Sequence, residues 1–137
     1  MQEDELKERF RLFSLRIIRL VDAMPNTISG NAIARQIIRS GTSPAANYRA
    51  ACIAKSEKDF VNKLKIVEEE IDETTHWLGL IIDSEMLPKS RVEPLYNESM
   101  ELCKIVTKSI STFKIKRDII PSQHQIEYNE EIEKMRK

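Results

Sequence analysis

The sequence predicts an all-α protein, an antiparallel up-down-up-down four-helix bundle with a kinked second helix and a polar C-terminal tail. Two observations lead to this prediction. In four segments, apolar residues recur at alternating spacings of four and three, as on the buried seam of a bundle helix. Residues that favour helices dominate, while only three glycines and five prolines interrupt the 137 residues. A chain of this length suffices for one domain with a buried core.

The first helix is expected over Asp4–Met24, with a strong apolar seam on one side. The seam consists of Leu6, Phe10, Phe13, Ile17, Leu20 and Met24. A second apolar stripe, made of Leu12, Leu15 and Ile18, faces away from that seam. Because exposed apolar patches usually mark contacts, we expect a subunit interface there, and we assign Trp77 to the interface as well. The alternative is a wide core face in a short bundle.

The second helix is expected over Ser29–Ala54, with an interruption in its middle. Pro44 lacks a backbone N–H and its ring clashes with the preceding turn, so we predict a bend or break within Gly41–Pro44. Ser43 would then cap a second helical segment, with Pro44 at its first position.

The remaining two helices follow short connections. The third helix is expected from its cap at Ser56 to about Asp83. The fourth helix is expected to begin near Ser90, which could form a capping box with Glu93. Pro94 leaves the start of this helix open by a few residues.

The chain becomes polar after Ile115, so we assign residues 1–115 to the bundle and 116–137 to a flexible tail. No run of apolar residues is long enough to span a membrane. The first ten residues lack the apolar core of a signal peptide. We therefore expect no membrane partner and a cytoplasmic location, where Cys52 and Cys103 stay reduced.

Charge is unevenly distributed in this neutral chain. Residues 6–55 contain nine basic and two acidic residues, whereas residues 56–85 contain three basic and nine acidic residues. The two regions can pair with each other, within or between subunits. Alternatively, the basic region binds an anionic partner such as RNA. The candidate RNA-binding residues are Arg9, Arg16, Arg19, Arg35 and Arg39.

The sequence indicates no catalytic residue, cofactor or metal. Glu73-x-x-His76 is the ligand pattern of di-iron bundle proteins, but such a centre needs two of these motifs and two further carboxylates. The other histidine, His124, has no glutamate three residues before it. A metal-dependent bundle enzyme therefore remains a weak alternative, and we expect Glu73 and His76 on a solvated helix face.

Glu70 lies beside the seam of the third helix, one heptad before Trp77. We hypothesise that its carboxylate pairs with Arg39 or Arg49. The amide of Asn47 is a further candidate partner. A buried polar link of this kind would fix the register of the second helix against the third.

The stretch from Arg39 to Trp77 contains RSGTS-AANYR-A followed by SEKDFVNKLKIVEEE-DE-HW. It resembles the four-helix-bundle proteins encoded in intervening sequences of bacterial large-subunit ribosomal RNA genes. That family includes the accessory variability determinant of diversity-generating retroelements. The resemblance implies a ring, typically a homopentamer, and in the accessory members binding to RNA and a reverse transcriptase. Pro44 departs from the family, whose members often have an aliphatic residue there.

These observations favour a non-enzymatic, self-assembling bundle that acts as a binding or scaffolding particle. The alternative function is binding of RNA or a nucleoprotein, including a reverse transcriptase, through the basic side of the first two helices.

Overall fold

The computed structural model describes residues 2–119, 130–131 and 133–135. Within residues 2–119 the chain forms four α-helices and no strand. They are α1 (Glu3–Asp22), α2 (Ile28–Cys52), α3 (Glu57–Asp83) and α4 (Lys89–Ile119). Each helix packs against the next, and α4 packs loosely against α1, so that α1 and α3 occupy opposite corners. The predicted antiparallel four-helix bundle is confirmed.

The core takes residues from all four helices, and the predicted α1 seam is buried except for half-buried Met24. Phe10 and Ile17 of α1 are completely buried, as are Ile71 of α3 and Leu102 of α4. The ring of Phe10 lies 5.1 Å from that of Tyr48 on α2, measured between centroids. Among the described residues, no helix has the length and apolar character needed to cross a membrane.

Side-chain caps fix the first residues of α2 and α3. The hydroxyl oxygen of Thr27 accepts a hydrogen bond from the backbone N–H of Gly30 at 3.0 Å. The hydroxyl oxygen of Ser56 accepts one from the backbone N–H of Asp59, also at 3.0 Å. Each bond satisfies one of the N–H groups that a helix leaves unpaired at its start. The predicted start of α3 is confirmed.

The fourth helix differs from the prediction at both ends. It begins at Lys89, so Ser90 lies inside the first turn and the predicted capping box with Glu93 is wrong. The Glu93 carboxylate instead lies 3.4 Å from the ammonium group of Lys89, one turn away. At the other end α4 continues to Ile119, so the boundary predicted after Ile115 falls inside a helix. Residues 130–131 and 133–135 are helical, and the rest of the predicted tail lies outside the described residues.

The second helix is continuous through Pro44, so the predicted break is wrong, and Ser43 lies inside the helix rather than at a cap. A proline costs one backbone hydrogen bond, but Pro44 is buried, and burial offsets part of that cost. Polar side chains also bond to neighbouring carbonyls, as the Thr42 hydroxyl does to that of Ile38 at 2.6 Å. A kink within the continuous helix stays a prediction.

Gly41 sets the distance between α1 and α2. A Cβ atom at this position would lie 2.7 Å from the side chain of Ile17, closer than carbon atoms pack. The absence of a side chain therefore allows α2 to approach α1 closely at the centre of the bundle.

Candidate interaction surfaces

A polar network joins the solvent-facing side of α2 and α3. The Arg39 guanidinium donates to the Glu70 carboxylate at 3.0 Å and also to the carboxylate of Glu73. The indole N–H of Trp77 donates to the same Glu73 carboxylate at 3.1 Å. The expected contact between Arg39 and Glu70 is present. It is not the buried link that was hypothesised, because half of the Arg39 side chain is exposed.

The other expected partners of Glu70 are wrong. The Asn47 amide donates within its own helix, to the carbonyl oxygen of Ser43 at 3.1 Å and to the Ser43 hydroxyl at 2.9 Å. One helical turn separates these two residues, so a local acceptor is closer than any on α3. Arg49 is exposed on a different side of α2 from Arg39, because ten residues do not make a whole number of turns.

Two pairs of hydroxyl groups connect α3 to its neighbours, and the first pair lies beneath this network. The Ser40 and Thr74 hydroxyl oxygens are 2.9 Å apart, and both residues are completely buried between α2 and α3. On the other side of α3, the hydroxyl oxygens of Thr75 and Ser99 are 2.8 Å apart. These pairs bond α3 to both of its neighbours at one level of the bundle. Neither pair was predicted from the sequence, although a hydroxyl residue at a seam position is a signal for such a pair.

Two exposed apolar surfaces lie on opposite corners of the bundle. The α1 stripe, made of Leu12, Leu15 and Ile18, has Leu12 49% and Ile18 40% exposed, as predicted, whereas Leu15 is half-buried. The second surface, which we call the α3 patch, consists of half-buried Trp77 and exposed Leu80 one turn away. Exposed Ile66 lies on the same side of α3, three turns before Trp77. A lone exposed apolar side chain is common, but two clustered patches are typical of contact surfaces.

A bidentate ion pair connects α1 and α4. The Arg9 guanidinium donates to the two carboxylate oxygens of Glu98 at 2.8 and 2.6 Å. The hydrogen bonds to Glu98 raise the pKa of Arg9 above its ordinary value. One of the five candidate RNA-binding arginines is therefore already neutralised within the chain, and Arg39 is a second.

The other three candidate arginines have different surroundings. Arg16 and Arg19 line a cleft of about 260 Å³ between α1 and α4, together with Arg91, which the sequence analysis did not single out. Leu20 and Leu95 form the apolar walls of this arginine cleft. Arg35, the last candidate, is exposed on α2 and is not part of the cleft.

The predicted solvated face of α3 is only partly correct. His76 is exposed, with its ring 4.9 Å from that of Trp77 between centroids. Glu73, in contrast, is half-buried by its contacts with Arg39 and Trp77. Within the described residues, no group of three or more histidine, cysteine or acidic side chains could hold a metal ion. His124 lies outside them.

Both cysteines are free thiols on partly buried helix faces. Burial raises the pKa of the Cys52 thiol, and nearby Glu3 adds to the effect. Burial raises the pKa of the Cys103 thiol as well. Because the thiolate is the nucleophilic form, raised pKa values leave both thiols protonated and weakly reactive near neutral pH.

The chain is similar to known proteins in both sequence and fold. A family model described as 23S rRNA-intervening sequence protein matches residues 3–108. A crystal structure of a protein of unknown function from the S23 ribosomal protein family of Bacteroides thetaiotaomicron is 36% identical. It superposes with a TM-score of 0.75 over 81% of this chain and 99% of that chain. No curated protein matches. A link to the accessory determinant of retroelements stays a prediction.

Proposed function

Since the chain belongs to the family of 23S rRNA-intervening sequence proteins, we propose that it is a non-enzymatic, self-associating particle of the cytoplasm that binds or scaffolds other molecules. The observation that supports self-association is the pair of apolar surfaces on opposite corners, the α1 stripe and the α3 patch. Two different surfaces on opposite sides suit a head-to-tail contact, in which the stripe of one copy meets the patch of the next.

Charge favours a second copy of this chain as the occupant of both surfaces. Arg19 is exposed beside the α1 stripe, and Glu69 is exposed beside the α3 patch. The same asymmetry holds for whole regions, with a net charge of +7 over residues 6–55 and −6 over residues 56–85. Opposite charges at the rims orient two copies as they meet and disfavour contacts between like surfaces. A head-to-tail contact closes into a ring when its rotation permits, and the homopentamer implied by the family resemblance is one such ring.

We predict that Leu12→Asp and Leu80→Asp each reduce the oligomer to monomers, because each buries a charge in one of the two partner surfaces. Mixing the two variants should restore dimers only. In such a dimer, the intact patch of the first variant meets the intact stripe of the second, and the two mutated surfaces stop further growth. Native mass spectrometry of the wild type, each variant and the mixture measures this.

The matched control is Ile28→Asp at the first residue of α2, where the side chain is 94% exposed and outside both surfaces. It should keep the wild-type mass, and thermal melting should show that all three variants are folded. A contact between two α1 stripes would leave Leu80→Asp oligomeric, and mixing would rescue nothing. A wild-type protein that is monomeric at micromolar concentration would overturn the proposal.

Binding of RNA or a nucleoprotein is the second candidate function. One observation supports it, namely that Arg16, Arg19 and Arg35 form no ion pair within the described residues. Against it, Arg9 and Arg39 are already paired, which lowers the number of cations available to displace counterions from RNA. Nucleic-acid absorbance of the sample used for mass spectrometry shows whether RNA accompanies the purified particle.

A further inference from the structure

We propose that the arginine cleft between α1 and α4 binds a doubly charged phosphate group, as found in free pyrophosphate or at the 5′ end of an RNA. The site consists of Arg16, Arg19 and Arg91. All three residues belong to one chain, and Arg19 also lies beside the α1 stripe.

Three arginines from two helices converge on one cleft. Arg16 and Arg19 are one turn apart on α1, and Arg91 is the third residue of α4, yet all three line the same cleft of about 260 Å³. Arg16 is partly buried, whereas Arg19 and Arg91 are exposed. Three positively charged side chains that line one cleft create a positive potential that attracts an anion.

The arginine cleft has no anionic partner among the described residues. Within the part of the chain that the structure describes, no carboxylate lies within 4.0 Å of these three guanidinium groups. Glu98 lies one turn beyond Leu95 on the same helix, but Arg9 holds both of its oxygens. The positive charge of the cleft is therefore available to a ligand.

The chemistry of the guanidinium group suits a phosphate ligand. Guanidinium groups bind phosphate through paired N–H donors, with better geometry than an ammonium group offers. A terminal phosphate carries about −1.5 to −2 charges at pH 7, whereas each phosphodiester of a nucleic-acid backbone carries one. Three arginines match the more highly charged group. Arg91 also lies in the first turn of α4, where the helix dipole adds positive potential.

The cleft has apolar walls. Leu20 is 6% exposed and Leu95 is 3% exposed, and both border the cleft. The apolar sides also offer a surface to the ribose or base next to a terminal phosphate.

The test compares two sources of the phosphate group. Calorimetry measures binding of pyrophosphate, and fluorescence anisotropy measures binding of a short single-stranded RNA with either a 5′-phosphate or a 5′-hydroxyl. We expect binding of at least one phosphate source, and for the RNA about a tenfold preference for the 5′-phosphate, the effect of one charge-assisted hydrogen bond. Binding of pyrophosphate alone would identify a free ligand, and binding of phosphorylated RNA alone would identify an RNA end. Either result supports the site.

Arg91→Gln is the decisive variant, because Arg91 lies outside both the α1 stripe and the α3 patch. It should weaken phosphate binding about tenfold while leaving the oligomer mass unchanged. Arg49→Gln is the matched control, since it removes an exposed arginine on α2 far from the cleft and should bind like the wild type. Equal loss in both variants, RNA binding that ignores the 5′-phosphate, or no binding of either source would overturn the proposal.

Discussion

The polar side chains between α2 and α3 find partners within the chain, whereas three arginines between α1 and α4 find none among the described residues. In the first seam, Ser40 meets Thr74 and Arg39 meets Glu70. Among the described residues, one bidentate pair links the polar side chains of the second seam, and the arginine cleft lies beside it. The helices also pack more extensively in the first seam than in the second.

This contrast follows from access to water. A hydroxyl group in a close-packed seam loses its water and needs an internal partner, since an unpaired buried polar group costs free energy. An arginine beside an open seam keeps its hydration and tolerates the lack of a partner. Loose packing therefore leaves charge available for a ligand, and close packing does not.

The largest effect on stability is expected for Thr74→Val. Valine has nearly the same shape as threonine, but it leaves the buried Ser40 hydroxyl without its 2.9 Å partner. We expect the free energy of unfolding to fall by about 1–3 kcal/mol, the cost of an unsatisfied buried hydroxyl. Urea denaturation measures this value.

The double variant Ser40→Ala/Thr74→Val is the control for this mechanism. Removing both hydroxyls leaves no orphaned group, so it should be more stable than Thr74→Val alone. If the double variant loses the sum of the two single effects, the pair is not coupled, and the account of the close-packed seam is wrong.

A smaller effect is expected for Arg9→Gln in the open seam. The side chains of Arg9 and Glu98 are 27% and 20% exposed, so the pair is partly screened by solvent. We expect a loss of about 1 kcal/mol, between the values typical of exposed and buried charged pairs. Relative to the wild type, hydrogen exchange followed by mass spectrometry should show a larger increase in exchange rate in α1 than in α3, because α1 loses its ion pair with α4.

Arg11→Gln is the matched control on the same helix. Its partner Glu8 is one turn away at 3.4 Å, and both side chains are more than half exposed. This variant should leave exchange in α1 unchanged. If Arg9→Gln raises the exchange rates of α1 and α3 equally over the wild type, the ion pair does not hold the open seam together.

The helices and the core could be predicted because both depend on local periodicity. On α1, Phe10 and Ile17 recur at the spacing that puts them on one face, as Leu64 and Ile71 do on α3, and each of these faces must be buried. The cap at Ser56 depends only on its distance to Asp59 in the sequence. The outward direction of Leu12 and Ile18 follows from the same periodicity.

The partners between helices could not be predicted in this way. Periodicity gives the face on which a residue lies, but not which helices meet at that face. Arg91 is far from Arg16 and Arg19 in sequence, and their common cleft exists because α4 packs beside α1. Likewise, a proline usually breaks a helix, and the continuation of α2 through Pro44 depends on the tertiary packing around it.

The smallest effect on stability is expected for Glu70→Leu, at the solvent-facing edge of the close-packed seam. Arg39 keeps its contact with Glu73 and is half exposed, so the loss should stay below about 1 kcal/mol. We expect a folded protein with a changed oligomer mass, because Glu70 helps to hold Arg39 and Glu73 in place beside Trp77 in the α3 patch.

Glu70→Gln, which keeps an acceptor oxygen, should retain the wild-type mass. Native mass spectrometry and thermal melting together would decide the matter: an unchanged mass and unchanged melting would show that this network has no part in assembly. A change in mass without a change in melting would separate the outer layer of this seam from the hydroxyl pair beneath it, whose loss is expected to lower the free energy of unfolding.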